Sequence, residues 1–174
     1  MKIKNGHDLL IRKAEKKDAQ MLLDYLNVVG GESDNLLFGA NEFTITVEQE
    51  ESFIESMNSS KTSVLLVGFI DDKVVCIGSL SAPQKERISH QGDVAMSVLR
   101  EFWGLGIGTI LMNEIISFAK KTEKLEILHL GVKADNSRAI KLYEKMGFHE
   151  IGCYKKFFKI NSEYYDEILM NLYL

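Results

Sequence analysis

A glycine-rich segment at positions 100–109 is the first candidate for a ligand-binding loop. It reads Arg-Glu-Phe-Trp-Gly-Leu-Gly-Ile-Gly-Thr, with glycine at every second position from 104 to 108. Because glycine has no Cβ, backbone N–H groups in such a loop can turn toward one point. A helix that begins within the segment adds unpaired N–H groups and the positive end of its dipole. The segment therefore predicts a cradle for a diphosphate that needs no lysine.

Several ligands remain open for this loop. A P-loop requires Gly-Lys followed by Ser or Thr, whereas Gly108 is followed directly by Thr109. A dinucleotide fingerprint requires Gly-x-Gly-x-x-Gly near the start of a parallel sheet, whereas this loop follows about three predicted antiparallel strands. The diphosphate of coenzyme A is the third candidate ligand. A strand-to-helix turn that binds nothing is the remaining interpretation.

A second segment, at positions 134–148, carries polar side chains at helical spacing. Asn136 stands at the predicted helix start, and Tyr143 follows seven residues later. This separation is about 10 Å along a helix axis and returns to the same face. One side of the helix can therefore meet an extended ligand at two places.

With both segments in this order, the chain resembles the GNAT superfamily of N-acetyltransferases. The Gly-x-Gly-x-Gly turn after a strand is similar to that family's acetyl-CoA loop. The run Asn-x-x-Ala-x-x-x-Tyr-x-x-x-Gly-Phe from Asn136 to Phe148 is similar to its later cofactor and catalytic segment. The predicted order of elements also agrees, so the resemblance covers nearly the whole chain.

The resemblance implies a fold, a co-substrate and a set of site residues. The fold is a mixed, mostly antiparallel α/β sheet with helices on both faces, splayed between two parallel strands, where acetyl-CoA enters. Its pantetheine arm would pair with the backbone of Met96, Ser97 and Val98 and bond Asn136. The diphosphate would be held by amides of Gly104, Leu105, Gly106, Ile107, Gly108 and Thr109. Tyr143 would face the sulfur. The activity implied is acetyl transfer to a primary amine of a small molecule or peptide, and the alternative is an acetyl-CoA sensor without catalysis.

Two positions depart from the family's pattern. Trp103 stands where the loop often begins with Arg or Gln, so the role of its side chain is open. Some members that acetylate protein N-termini carry a glutamate base at the position that here is Gly131. This glycine argues against that form of base catalysis.

The chemistry requires a proton acceptor for the amine and a proton donor for the thiolate. An alkylammonium has a pKa of about 10.4 and is mostly charged at neutral pH. We interpret Tyr143 as the donor to the leaving thiolate and Asp93 as the base, with His90 and water as alternatives. Strand alternation places His90 and Asp93 on opposite faces, so only one of them faces the cleft. His129 is interpreted as a core histidine.

The elements that position these residues follow the order β-α-α-β-β-β-α-β-α-β-β. Predicted strands cover 9–12, 63–70, 74–81, 88–99, 125–132, 148–160 and 164–173. The first predicted helix follows position 18 and runs to about 29, the second begins near 47, and the last two cover 107–121 and 137–146. Thr46 and Gln49 form a capping box, and Asp18 is the predicted cap of the first helix. The crossover between positions 88 and 132 predicts parallel strands.

Composition limits the class of protein. With 174 residues and an ordinary apolar content, a single domain over 1–174 is expected. The net charge of −4 and the absence of a basic cluster argue against binding of nucleic acid. No metal site, membrane span or secretory signal is expected, which favours a location in the cytoplasm. Residues 31–43 and the turn at 161–165 are predicted to select the amine, with Glu32, Asp34 and Glu42 as acids for a cationic acceptor. Aromatic residues of the last hairpin are a candidate homodimer surface.

Overall fold

The computed structural model describes all 174 residues and confirms the predicted order of elements. Three short 3₁₀ turns accompany four helices and seven strands. The strands are β1 Leu10–Lys13, β2 Val64–Ile70, β3 Lys73–Ser81, β4 Gln91–Val98, β5 Ile127–Lys133, β6 His149–Ile160 and β7 Glu163–Tyr173. The helices are α1 Ala19–Gly30, α2 Val47–Ser59, α3 Ile107–Lys121 and α4 Ser137–Lys145. The main boundary correction is at β4, because the predicted start of this strand forms a 3₁₀ turn, Glu86–Ile88, instead.

The strands form one sheet in the order β1-β2-β3-β4-β5-β7-β6. Every neighbouring pair is antiparallel except β4 and β5, which are parallel as predicted. The β4–β5 register contains only three pairs and ends at Asp93 and His129. Both strands continue beyond this point, each paired only with its other neighbour. The sheet is therefore splayed in its middle.

Helices cover both faces of the sheet because β2 and β3 are apolar on both sides. Along β2, Leu65, Val67 and Phe69 pack with α1 and α2, whereas Val64, Leu66 and Ile70 belong to the core under α3. Side chains of α3 and α4 complete the second layer, including Leu111, Met112 and Ile115. The alternation along β2 thus assigns α1 and α2 to one face and α3 and α4 to the other. None of the helices combines the length and apolar character that crossing a membrane requires.

Helix ends show one confirmed and one wrong prediction. The Thr46 hydroxyl accepts a hydrogen bond from Gln49 N, and the Gln49 side chain accepts one from Thr46 N, so the capping box is confirmed. Asp18 does not cap α1 with its side chain. Its fully buried carboxylate instead accepts two hydrogen bonds from Arg12, at 2.6 and 2.8 Å, and a third from Glu15 N. Arg12, six residues earlier in the chain, outcompetes the role of helix cap because it supplies a positive charge to a buried anion.

Replacement of Asp18 by Asn is expected to lower the free energy of unfolding by about 2 kcal/mol at neutral pH, because the Arg12 guanidinium loses its charged partner. The pKa of Asp18 is lowered, first by its hydrogen bond from Arg12, so this stabilisation is fully present above the unfolded pKa of about 3.9 and is lost progressively as the pH falls from there through the lower folded pKa. Urea unfolding at pH 7 and pH 3 tests this. The exposed Asp24→Asn is the control, and equal losses in both variants at pH 7 would contradict the prediction.

The aromatic residues of the last hairpin do not share one environment. Phe158 is buried, Tyr165 is partly covered, and Phe157 and Tyr164 are exposed on β6 and β7. Core packing thus accounts for part of this cluster, and the homodimer surface stays a prediction.

Candidate active site

The segment from Gly104 to Thr109 presents a row of free amides at the start of α3. None of these six N–H groups donates a hydrogen bond within the chain, and the first helical bond runs from Ile110 N to Gly106 O. Gly104 and Gly106 have φ angles of 82° and 91°, a region in which a side chain is strained. The first turn of α3 contains no acidic residue. These free donors and the helix dipole can hold an anionic group.

The open edge of β4 lies beside this row of amides. Leu99 N bonds to Val75 O, and His90 O accepts bonds from the start of β5, so alternate residues of β4 direct their peptide groups to opposite sides. Met96 and Val98 therefore direct their N–H and C=O groups into the splay. Ser97 does not, which corrects the prediction for this residue: its backbone is directed to Ile77 on β3, and its hydroxyl lies 3.0 Å from Tyr25 Oη.

Trp103 closes over the end of this edge. Its indole Nε1 donates a 2.7 Å hydrogen bond to Val98 O. The guanidinium groups of Arg138 and Arg100 lie 4.9 and 5.9 Å from the indole centroid. A carbonyl oxygen has two lone pairs, so Val98 can accept a second donor without losing Trp103. The indole thus fixes the geometry of the strand end and gathers two cations next to the row of free amides.

Close packing joins α4 to the same place. A Cβ on Gly108 would lie 3.1 Å from Leu142 Cδ1 and 3.4 Å from Met96 Cε, so the missing side chain lets α3, α4 and β4 converge.

Asn136 Oδ1 caps α4 by accepting a hydrogen bond from Ala139 N at 3.2 Å, which leaves the side-chain NH₂ free to donate.

Tyr143 lies on α4 against the core, with its ring centroid 6.0 Å from that of Phe148. Its hydroxyl makes no hydrogen bond within the chain. Burial raises the pKa of the Tyr143 phenol to about 12, so the group carries its proton throughout the neutral range. The residue is only partly buried and its hydroxyl oxygen remains accessible. The Tyr143 phenol is therefore available as a proton donor.

Of the two predicted bases, only Asp93 lies in β4; His90 precedes the strand. The Asp93 side chain is 64% exposed and its Oδ1 lies 3.5 Å from His129 Nδ1. His129 is 41% exposed, so its interpretation as a core histidine is wrong. Asp93 and His129 are register partners on the face covered by α1 and α2, at the point where the splay begins. Tyr143 packs on the other face, and the splay connects the two.

Glu167 on β7 lies beside the splay, where the sequence revealed no carboxylate. The residue is only 8% exposed and has no hydrogen bond or ion pair within the chain. It lies against Gly131 on β5, where a Cβ would overlap with Glu167 Oε1. Burial first, and then the charge of Asp93, raise the pKa of this carboxyl. The clue in the sequence was glycine in a central strand, which often marks a close approach by another group.

A cleft of about 540 Å³ lies between the α1–α2 loop, within the segment predicted to select the acceptor, and residues 157–161 at the end of β6. Of the other predicted segment, the turn at 161–165, only Asn161 lines this cleft. Asp34 and Glu42 contribute acidic groups to this lining. Glu32 is occupied elsewhere, since its Oε2 accepts a 2.7 Å hydrogen bond from Arg100 N. Of the three acids considered for a cationic acceptor, two therefore line the cleft.

Known proteins that are similar to this chain are acetyltransferases. The family model described as the acetyltransferase (GNAT) family matches residues 34–148. The L-amino acid N-acetyltransferase AaaT of Escherichia coli is 34% identical over 105 residues, which are 60% of this chain and 65% of that protein.

Two solved structures extend the likeness to nearly the full length. A GNAT family acetyltransferase from Streptococcus pneumoniae has a TM-score of 0.94 and 32% identity, covering 96% of this chain and 100% of that one. The acetyltransferase yncA from Salmonella typhimurium, solved with its cofactor acetyl-CoA, shares the fold with a TM-score of 0.83 at 17% identity, covering 95% and 94% of the chains. On the family match and this shared architecture, the chain belongs to the GNAT family of acetyltransferases.

Proposed function

We propose that the protein transfers the acetyl group of acetyl-CoA to a primary amine of a small molecule or peptide, by direct attack within a ternary complex. The observation that carries this proposal is the alignment of six free amides, at residues 104–109, with the open edge of a splayed strand. This arrangement offers one donor set for a diphosphate and one for an extended amide-containing arm. Coenzyme A has both groups in that order.

In this proposal the diphosphate binds at the start of α3 and the pantetheine arm lies along β4. Met96 and Val98 supply the backbone that pairs with the arm, and the free NH₂ group of Asn136 donates to it from α4. Arg100 and Arg138 add positive charge beside the diphosphate. The thioester then lies in the splay, with the Tyr143 phenol on one face and Asp93 on the other.

The chemistry uses groups on both faces. The acceptor arrives from the side of α1 and α2, loses a proton and attacks the thioester carbonyl. Free backbone N–H groups of β4 stabilise the negative charge that develops on oxygen. Tyr143 donates its proton to the departing sulfur, which a group with its raised pKa can do at neutral pH. Asp93 lies on the face from which the amine enters, which supports its assignment as the predicted base.

The acceptor is an amine that can enter through the cleft between the α1–α2 loop and the β6–β7 turn. A relative that matches part of this chain is named an L-amino acid N-acetyltransferase, which supports an α-amine as one substrate class. The acids Asp34 and Glu42 in the cleft favour an acceptor with positive charge. Comparable turnover of cationic and neutral amines would exclude a selective role for these acids.

Ligand-dependent thermal stability followed by a thiol-release assay tests the proposed function. We expect acetyl-CoA and coenzyme A to raise the melting temperature far more than equal concentrations of ATP or NAD. An amine panel containing amino acids, peptides and polyamines should then release free thiol only with some members. Stronger stabilisation by ATP or NAD would instead identify a nucleotide-binding protein.

The alternative is an acetyl-CoA sensor that uses the same fold without catalysis. It predicts stabilisation by acetyl-CoA but no thiol release with any amine. The unpaired Tyr143 hydroxyl favours the enzyme, because it leaves a proton donor that no group of the chain engages.

A further inference from the structure

The carboxylate of Glu167 has an unusual position for a charged group. The residue is only 8% exposed and lies on the face of the sheet covered by α1 and α2, yet no cation or hydrogen-bond donor of the chain contacts its carboxylate, whose oxygens stay open to solvent. The carboxylate of Asp18, by contrast, is paired with Arg12. A carboxylate that is partly desolvated, unpaired and still accessible can bind a positively charged group from outside the chain.

The cation that faces Glu167 on the neighbouring strand has other partners. Lys133 is the register partner of Glu167 on β5, which places the two residues on the same face. Lys133 Nζ, however, donates to Asp135 Oδ2 at 2.5 Å and lies 3.7 Å from the ring centroid of Tyr165. Lys133 is thus satisfied by other partners. The negative charge of Glu167 remains available.

The space beside the carboxylate is open because residue 131 is glycine. A side chain there would collide with Glu167 Oε1, so Gly131 is required for the carboxylate to lie over β5. Gly131 follows His129 by two residues and therefore lies on the same face, just past the point where β4 and β5 separate. Glu167 thereby reaches the splay from the neighbouring strand.

We infer that Glu167 binds the ammonium group of the acceptor and removes its first proton, so that it, rather than the exposed Asp93, is the base of the proposed reaction. This inference rests on the proposed function. Asp93 then acts as a positioning residue, whose negative charge makes Glu167 a better proton acceptor.

The proton balance is as follows. The ammonium gives one proton to the Glu167 carboxylate, and the nitrogen lone pair then forms the C–N bond. The C–S bond breaks with its electrons on sulfur, which takes the proton of Tyr143. The second proton of the nitrogen returns to the Tyr143 phenolate through water, and Glu167 releases its proton to solvent. The products are the N-acetylated amine, coenzyme A with a free thiol, and one proton.

Several titratable groups lie on the same face of the sheet as Glu167. They are Asp93 on β4, His129 and Lys133 on β5, Tyr154 on β6 and Tyr165 on β7. Burial and Asp93 both raise the pKa of Glu167 above the ordinary 4.5. The activity of the enzyme should therefore decline toward acid pH with an apparent pKa above that value.

The variant Glu167→Gln keeps the shape of the side chain and removes the base. We expect kcat/KM for an alkylamine to fall about 100-fold at pH 7, with unchanged affinity for acetyl-CoA. The loss of kcat/KM in the variant should become smaller as the pH approaches the pKa of the amine. A weakly basic amine that is neutral at pH 7 should restore most of the wild-type kcat/KM. A purely structural role would give neither response. Glu150→Gln, at an exposed position of β6, is the matched control.

The variant Asp93→Asn distinguishes the role of Asp93 from that of Glu167. If Glu167 is the base, removing the charge of Asp93 lowers the pKa of Glu167 and moves the acid limb of the pH profile to lower pH, with a change in kcat below tenfold. A 100-fold loss in Asp93→Asn with normal rates in Glu167→Gln would overturn the inference. Failure of the wild-type protein to acetylate any amine would overturn the proposed function instead. If Glu167→Gln does not fold, the wild-type pH profile with a weakly basic amine decides, since the inference requires an acid limb above 4.5.

Discussion

Tyr143→Phe is expected to reduce kcat by about 100-fold while the dissociation constant for acetyl-CoA stays within about twofold of the wild-type value. The phenol is the proton donor that the structure leaves unpaired, and burial raises its pKa to about 12. Without it the thiolate must leave unprotonated or wait for water. The cofactor is held elsewhere, by the amides of residues 104–109, so its binding should persist.

The melting temperature of Tyr143→Phe shows whether a loss of turnover comes from the missing proton donor or from disturbed packing. The ring of Phe fills the same space against Phe148, and a hydroxyl without a partner is removed, so the melting temperature should not fall. Tyr173→Phe, at an exposed position near the end of β7, is the control and should retain full turnover. Single-turnover thiol release and calorimetric titration with acetyl-CoA measure the two constants. Undiminished turnover in Tyr143→Phe would remove this residue from the mechanism.

The sequence predicted those parts of the site that depend on neighbours along the chain. The free amides at 104–109 follow from glycine spacing and the start of α3, and the position of Asn136 relative to Tyr143 follows from helical period. The order and pairing of β4 and β5 followed from the crossover between them. These features are local, or are set by the handedness and length of a connection. They can therefore be predicted without knowing how side chains pack.

Contacts that depend on tertiary packing could not be predicted in the same way. Asp18 has the residue type and position of a helix cap, yet Arg12 binds its carboxylate across a turn. Glu167 lies 36 positions after Gly131 in the sequence, and only the β5–β7 register brings the two together. A glycine at 131 argued in the sequence against a carboxylate at that place. The structure shows that the glycine makes room for one.

The free amides at the start of α3 lead to the second large effect, which concerns cofactor affinity. Gly106→Asp is expected to weaken binding of acetyl-CoA by about 100-fold relative to Gly106→Asn. Both substitutions face the same strain at a φ of 91°, and a Cβ at this position meets no other atom within 4 Å. They differ in one negative charge beside the proposed diphosphate. The comparison thus isolates electrostatics from shape.

The same pair of variants gives opposite effects on binding and on folding. A carboxylate near the N-terminus of α3 interacts favourably with the helix dipole, so Gly106→Asp should be more stable than Gly106→Asn by about 0.5 kcal/mol in low salt. Its KM for acetyl-CoA should nevertheless rise, with kcat at saturation little changed, because the thioester and Tyr143 are untouched once the cofactor is bound. Equal affinity of the two variants for acetyl-CoA would place the diphosphate away from these amides. The six free N–H groups would then need another anion to explain them, and the proposed path of coenzyme A along β4 would lose its anchor.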